Sequence, residues 1–446
     1  MKMRFRPDQS VEQLSEDRLG FQAFINTIED AFRNTSCPFV YGIIGDWGSG
    51  KTSVMKILFD RMNTSLAVVK AADQPYVPIW FNAWQYENDT SIVYPLLHTI
   101  QKDFTTQIGI PATEEMRKSF MRVAKGSLLA LTDLGLRAAT HHFVGEALSL
   151  DDVKKSLELG EKDERLGAVE VALHKWADEV GELKVAFDEM LKCYADALAR
   201  KTKDLSADDV RFVIFIDDLD RCLPDTVVRI LESIKNFLTA RNTIFVLGIN
   251  PRIVYQGIRS KYPNVDVDGK EYLEKIINYS FYVPEAKVEA AEKFAQALLK
   301  ELVLVDDSDN DPERAFSEFA KVLSSCRFAN PRKIKRILNR YLLFLSTHGV
   351  DSPDFSNANT VRFIVVAEYF PSLFSLFLSS AEEVRTELFG VGRKTDLRAF
   401  EAKYGVQIGP LYGQITRMKD LFNLETREGL APLAEHAEAI FAITRV

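Results

Sequence analysis

The sequence predicts an α/β fold: a parallel sheet, interrupted by a long helical stretch and followed by an α-helical C-terminal part. Three observations predict it. Four short runs, Phe39–Ile44, Tyr76–Trp80, Phe212–Ile216 and Thr243–Gly248, are nearly continuous in apolar residues, as strands covered on both faces must be. The first of them leads directly into a glycine-rich turn and then into a segment of helical periodicity. Between Lys102 and Asp209, and again from Val288 onward, the apolar spacing is helical and no strand is apparent.

Taken in order, Val11 to Asn34 reads as a helix ending before Pro38, and Phe39–Ile44 as a buried strand. From Thr52 the spacing of Val54, Ile57, Leu58 and Met62 is helical, which completes a strand, loop, helix unit. Tyr76–Trp80 is a second strand, and its exit Phe81-Asn82-Ala83-Trp84-Gln85-Tyr86 leads through a polar turn to a helix around Ser91 to Phe104. From Leu166 the apolar positions Leu166, Val169, Leu173, Trp176, Val180, Leu183, Phe187, Met190, Tyr194 and Ala197 alternate steps of three and four, a heptad seam. It implies a helix of over 30 residues, folded back on Gly126 to Leu148 as an insertion that packs internally or else pairing as an intermolecular coiled coil, and it is expected to stand as a helical arm projecting from the nucleotide core, because a parallel sheet must close across this stretch. A helix from Asp225 to Leu238 then joins the last two strands.

At 446 residues the chain is long enough for two or three cores, at roughly 150 residues per domain. Hydrophobic residues at 46% and charged residues at 27% exclude a disordered chain. Lys+Arg 56 against Asp+Glu 64 gives a net charge of -8, which excludes a bulk polycation and leaves only local charge to favour nucleic acid. Cys37, Cys193, Cys222 and Cys326 form no C-x-x-C pair, so neither a disulfide framework nor a zinc site is indicated, and a reducing cytoplasm is the expected setting. The N-terminus MKMRFRPDQSVEQ has no apolar core of a signal peptide, and Gly126 to Leu148 is broken by Asp133, Arg137, His141, His142 and Glu146. No integral membrane insertion is expected.

Gly45-Asp46-Trp47-Gly48-Ser49-Gly50-Lys51-Thr52 fits G-x-x-x-x-G-K-[ST] between a strand and a helix, the context of a P-loop. The glycines let successive N–H groups and the helix N-terminus face phosphate oxygens, Lys51 spans the outer phosphates and Thr52 ligates Mg2+. The nucleotide-binding set is therefore Gly45, Trp47, Gly48, Ser49, Gly50, Lys51, Thr52 and Ser53. Asp217 and Asp218 end the strand Phe212–Ile216, where a Walker B acid reaches the same metal. Asp217 takes the metal side with Thr52, and strand alternation would turn Asp218 to the other side as general base; a solvated acidic turn is the competing reading. Asn250 follows the strand Thr243–Leu247 and either orients the attacking water, the role called sensor 1, or starts a turn before Pro251. Arg221 either completes a neighbouring subunit's site or pairs with local acids, and Arg241 and Arg259 are further arginine-finger candidates. Asn330-Pro331-Arg332-Lys333-Ile334-Lys335-Arg336 opens a helix with a basic first turn. Cations there oppose the helix dipole, so an anion nearby would explain them. Arg332 is the sensor-2 candidate for the phosphates, with Lys335 and Arg336 left for surface or nucleic-acid contacts.

The order GDWGSGKT, FNAWQYE (Phe81 to Glu87), FIDDLDRC (Phe215 to Cys222), EYLEKII (Glu271 to Ile277) and NPRKIKRILN (Asn330 to Asn339) resembles the KAP family of P-loop NTPases over roughly residues 15 to 345. The resemblance implies a P-loop NTPase core of additional-strand, AAA-like type, with ATP and Mg2+ as ligands and Asp217 and Asp218 as the Walker B pair. Many members of that family carry membrane helices between the two Walker regions, where this chain has a charged helical stretch. Members in prokaryotes are similar to components of antiphage defence systems that act beside partner proteins. The expected domains are residues 1–104 (first part of the NTPase core), 105–209 (helical, coiled-coil-like insertion), 210–285 (second part, with Walker B and sensor 1) and 286–446 (helical lid and C-terminal domain). The expected activity is Mg-dependent ATP hydrolysis used as a conformational or assembly switch, with other protein subunits and an ATP-linked homo-oligomer as partners. A nucleotide-gated platform of slow turnover and a nucleic-acid-stimulated motor are the alternatives, which leaves nucleic acid as a candidate partner.

Overall fold

A computed structural model describes residues 2–3, 10–66, 75–87, 92–109, 113–123, 184–202, 205–235, 240–261, 268–304, 330–348, 357–389 and 397–404, with isolated positions such as 319, 411 and 437. The chain divides into two compact units: Ser10–Ser15 with Gln22–Val283, and Met1–Gln9 with Glu16–Phe21 and Pro284–Val446.

In the first unit, strands β1 (Phe39–Ile44), β2 (Tyr76–Asn82), β3 (Arg211–Asp217), β4 (Thr243–Ile249) and β5 (Tyr279–Tyr282) form one sheet in the order β2-β3-β4-β1-β5. Every neighbouring pair is parallel. The four inner and early strands are those that the apolar runs predict. The fifth, β5, is an edge strand whose Tyr279 and Tyr282 remain 55% and 69% exposed, so it lacks the continuous apolar run of a buried strand. The strand that ends in the glycine-rich loop (β1) and the one that ends in the paired acids (β3) are separated by β4, the additional-strand arrangement of the P-loop NTPase fold. Because all five run parallel, their C-terminal ends share one edge, where ligands of open α/β sheets bind.

Helices α1 (Gln22–Arg33), α2 (Lys51–Leu66) and α3 (Val93–Ile108) flank the early strands, and α4 (Pro224–Lys235), α5 (Pro251–Lys261) and α6 (Gly269–Glu274) belong to the later connections. Helix α1 buries Ile25, Ile28 and Phe32, an i, i+3, i+7 stripe. Helix α4 starts with Pro224 in its first turn, where the missing N–H costs no hydrogen bond.

The heptad seam is only partly described: Leu166 to Leu183 lie outside the described residues, while residues 184–201 are helical. Those turns do not project. Phe187, Met190, Leu191, Tyr194 and Leu198 are buried in the same core as Phe104, Phe120, Val123 and Phe212, and Tyr194 stacks on Phe104 with ring centroids 4.6 Å apart. The expectation of an arm is thus corrected at this end of the stretch. The a and d residues pack against the chain's own sheet and α3, because an apolar seam beside an uncovered sheet face is buried more completely there than in solvent.

Apart from a short antiparallel pairing of Lys2–Met3 with Val303–Leu304, a strand that the helical spacing after Val288 does not predict, the second unit is helical, with α7 (Val288–Leu302), α8 (Pro331–His348), α9 (Asn357–Tyr369), α10 (Pro371–Ser379), α11 (Glu382–Phe389) and α12 (Leu397–Tyr404). Its core gathers Phe294, Leu298, Ile337, Tyr341, Leu345, Phe363 and Phe377. Among the described residues no single helix is long and apolar enough to cross a membrane; the apolar pair Asn359–Tyr369 and Pro371–Ser379 is bent by 117°.

If residues 184–201 are core, Phe187→Ala should destabilise the protein by about 3–5 kcal/mol, the usual cost of emptying a buried phenylalanine site. A urea unfolding curve checks this; an exposed arm would give almost no change in midpoint.

Candidate nucleotide site

The loop between β1 and α2 begins where Gly45 N–H donates to the Ile249 carbonyl at 3.2 Å, extending the ladder from β4. It then turns through Gly48 and Gly50 at φ 80° and 104°, values that a side chain would strain. A Cβ on Gly45 would stand 2.4 Å from Ser49 Oγ. Lys51 opens α2 with a side chain only 6% exposed, and its ammonium donates to the carbonyls of Gly45 (3.0 Å) and Asp46 (3.1 Å) and pairs with Asp220 Oδ2 (2.8 Å). Thr52 Oγ1 donates to Asp217 Oδ1 at 3.2 Å, so the two metal candidates converge from the ends of α2 and β3. Ser53 Oγ accepts from Val11 N–H at 3.1 Å, which fastens the N-terminal segment to α2. Trp47 is 52% exposed on the loop.

Burial first, and then the charge of Asp218, pushes the Asp217 carboxyl up to about 6. A buried carboxylate beside a hydroxyl, both hard oxygen donors, fits Mg2+, which takes few protein ligands and completes its shell with phosphate and water. A Cβ on Gly248 of β4 would come within 3.1 Å of Asp217 Oδ1 and 3.0 Å of Met55 Sδ, so the missing side chain there leaves the space in which Asp217 sits.

Asp218 is placed differently from the expectation. Strand β3 ends at Asp217, and Asp218 lies beyond it in the left-handed region at φ 59°. Strand alternation therefore does not orient its side chain; two partners do. Asn82 Nδ2 donates to Asp218 Oδ2 at 2.7 Å, and Arg221 Nε lies 2.8 Å from Oδ1. Asn82 ends β2 in register with Asp217, and its Oδ1 accepts from the backbone N–H groups of Trp84 (3.0 Å) and Gln85 (3.4 Å). With the oxygen committed to the backbone, the amide NH2 must face Asp218, which settles the orientation of the Asn82 side chain. Asn82 and Gly248 are site residues that the sequence reading did not single out. The signal for Asn82 was a polar residue closing an apolar strand within FNAW.

The FNAWQYE and DDLDRC segments are tied together. The guanidinium of Arg221 lies 5.4 Å from the Trp84 ring centroid, Leu223 N–H donates to Glu87 Oε1 at 2.6 Å, and Arg229 donates to the Glu87 carbonyl at 3.1 Å. Burial and the charges of Glu87, Asp218 and Asp220 push the Cys222 thiol up to about 12, so it is no nucleophile.

Of the remaining candidates, Asn250 follows β4, is 9% exposed, and its Oδ1 accepts from Arg252 N–H at 3.1 Å, capping α5. Arg221 is engaged within the chain, as its local reading requires. Arg241 precedes β4 and so belongs to the opposite edge of the sheet from the loop, where its N–H donates to Asp188 at 2.9 Å. Arg259 is exposed in the last turn of α5. Arg332 is half-buried in the first turn of α8, within the helical unit. The basic run around it serves that unit internally: Lys333 lies 4.0 Å from the Tyr369 ring centroid, and Arg336 and Arg340 each pair with the buried Glu368 at 3.2 Å. Arg336 is therefore corrected from a free surface contact to a half of an ion pair.

Residues 21–347 match the KAP family P-loop domain. Among curated relatives, the kinase D-interacting substrate of 220 kDa from Homo sapiens is 25% identical over 140 residues, 30% of this chain and 8% of that protein. The phage T7 exclusion protein of Escherichia coli (strain K12) is 24% identical over 281 residues, 62% of this chain and 34% of that protein. The chain thus spans well under half the length of either relative. The solved structure of the Aeropyrum pernix ORC2 protein covers 100% of both chains at 14% identity, with a TM-score of 0.39.

The raised Asp217 value has a stability consequence. The folded chain holds this proton more tightly than the unfolded chain, whose ordinary value is 3.8, so the group's contribution to stability falls as pH rises from about 4 to about 6 and stays low above. Asp217→Asn should therefore raise the Tm of the nucleotide- and metal-free protein at pH 8, by up to about 2–3 kcal/mol in stability, and the gain should shrink toward pH 5. Thermal melts at the two pH values check it.

Proposed function

The chain belongs to the KAP family of P-loop NTPases, and from that premise we propose that it is a Mg-dependent ATPase whose turnover drives a conformational or assembly switch. The observation that carries the reading is the convergence of Lys51, Thr52, Asp217 and Asp218 at one edge of the sheet, the buried cation and the paired acids that in-line transfer of a γ-phosphoryl group to water requires. When bound by Thr52 and Asp217, Mg2+ supplies neutralisation of the charge that develops on the phosphate oxygens.

The protein's own groups divide the rest. The N–H groups of Trp47, Gly48, Gly50 and Ser53 and the N-terminus of α2 bind the phosphates, Gly45 and Ser49 shape the loop through their N–H bonds to the Ile249 and Asp46 carbonyls, and Lys51 holds the outer phosphates. Asp218 accepts the proton of the attacking water, and Asn82 fixes the direction of its carboxylate. Asn250, whose oxygen caps α5, presents its amide to the same water as sensor 1. Arg332, in the first turn of α8, is retained as the sensor-2 candidate. Since Arg221 is paired with Asp218 in the same chain and the exposed Arg241 lies at the opposite edge of the sheet, the exposed Arg259 is our candidate to complete a neighbour's site in an ATP-linked homo-oligomer.

The wider setting we infer is the cytoplasm, within a multi-protein antiviral defence system. The likeness to a phage T7 exclusion protein supports it. A nucleotide-gated platform of slow turnover has one observation in its favour, namely that Arg221 and Asn82 each engage one oxygen of Asp218.

Lys51→Ala should abolish ATP binding by calorimetry while leaving the circular dichroism spectrum unchanged; retained affinity would refute the P-loop assignment. Asp218→Asn should bind Mg·ATP at near-parental affinity and lower phosphate release at least about 100-fold, the usual worth of a general base. Light scattering of that variant with saturating ATP should show dimers or larger species, and a monomer would refute the assembly role.

A further inference from the structure

The Lys51 ammonium has three hydrogens, and three acceptors surround it: two backbone carbonyls and the carboxylate of Asp220. Both side chains are buried, at 6% and 10% exposure. A buried ammonium without an anion is costly, so a chain without nucleotide has to supply one. Asp220 does so from the short turn Leu219–Arg221, which Leu219 anchors in the core at 1% exposure. An outer phosphate of a nucleotide needs the same ammonium. We propose that Asp220 is an intramolecular stand-in for that phosphate, which sets nucleotide affinity by competing for Lys51. The inference rests on the nucleotide-binding reading of the loop and adds the residue that opposes binding.

The turn also carries a consequence. Arg221 N–H donates to the Asp218 carbonyl at 3.2 Å and Cys222 N–H to the Leu219 carbonyl at 3.3 Å, so Asp220 and Arg221 belong to one hydrogen-bonded unit. When Asp220 yields Lys51 to phosphate, the residue that holds Asp218 and covers Trp84 is in the same turn. Displacement by the ligand and release of Asp218 are then one movement.

The test is a binding and stability cycle on the full chain with Asp220→Asn, Lys51→Met and the double variant. Calorimetry in EDTA removes any contribution from metal. Asp220→Asn should bind ATP and ADP about tenfold more tightly than the parent and leave AMP, which lacks an outer phosphate, unchanged. Without nucleotide, Asp220→Asn should melt at lower temperature than the parent, and should cost nothing further once Lys51 is Met, because the lost interaction is the pair itself. Saturating ADP should raise the melting temperature of Asp220→Asn more than that of the parent. Equal or weaker ADP binding by Asp220→Asn, with a parent that binds normally, overturns the stand-in role alone. A parent that binds neither ATP nor ADP overturns the nucleotide reading on which it rests. Tightening without any loss of stability would show general charge repulsion, and also overturns the pairing.

Discussion

A buried lysine at the N-terminus of a helix is the constraint around which the sheet edge is organised. Lys51 stands where the α2 dipole is positive and where solvent is nearly excluded, so both terms act against its charge. Carbonyl oxygens of the loop answer part of that, and a carboxylate answers the rest. Three aspartates on one short segment then need partners of their own, and the structure provides a different one for each: Thr52 for Asp217, Asn82 and Arg221 for Asp218, Lys51 for Asp220. Each of the three acids is thus already partnered within the chain.

The parallel sheet makes that arrangement reachable. With β4 between β1 and β3, the loop after β1 and the acids after β3 are one strand apart, and the gap is bridged by the side chains of Thr52 and Asp217 rather than by backbone. Gly248 on the intervening strand keeps the gap open, because a Cβ there would crowd Asp217. On the far side, the register that sets Asn82 opposite Asp217 brings the end of β2 within hydrogen-bond reach of Asp218. The FNAW segment is therefore as much part of the acid end as DDLD is, which is a physical reason for the two motifs to occur together.

Much of this was legible in the sequence where a pattern is local. Buried parallel strands announce themselves as apolar runs, and a glycine-rich turn followed by Lys-Thr at a strand–helix junction has one good explanation. What was not legible depends on neighbours. Strand β5 is short and exposed on its tyrosines, so it has no apolar run. The heptad seam reads identically whether its partner is a second helix or the chain's own sheet, and Phe187 and Tyr194 settled against Phe104 and Phe212. Asp218 was placed by extrapolating the strand one residue too far. The chain leaves extended geometry at Asp217, and a non-glycine residue at positive φ is invisible to a periodicity argument.

The basic run of α8 shows how far charge can be read without partners. Arg332, Lys333, Lys335 and Arg336 in the first two turns oppose the helix dipole, and the sequence suggested an external anion to account for them. Part of the answer is internal. Glu368, buried on α9, faces both Arg336 and Arg340, four residues apart on one side of α8, so a single carboxylate neutralises two cations and locks the two helices together. Lys333 rests on the ring of Tyr369, the next residue of α9, which sets another charge against an aromatic face. Lys333, Arg336 and Arg340 thus hold helix to helix.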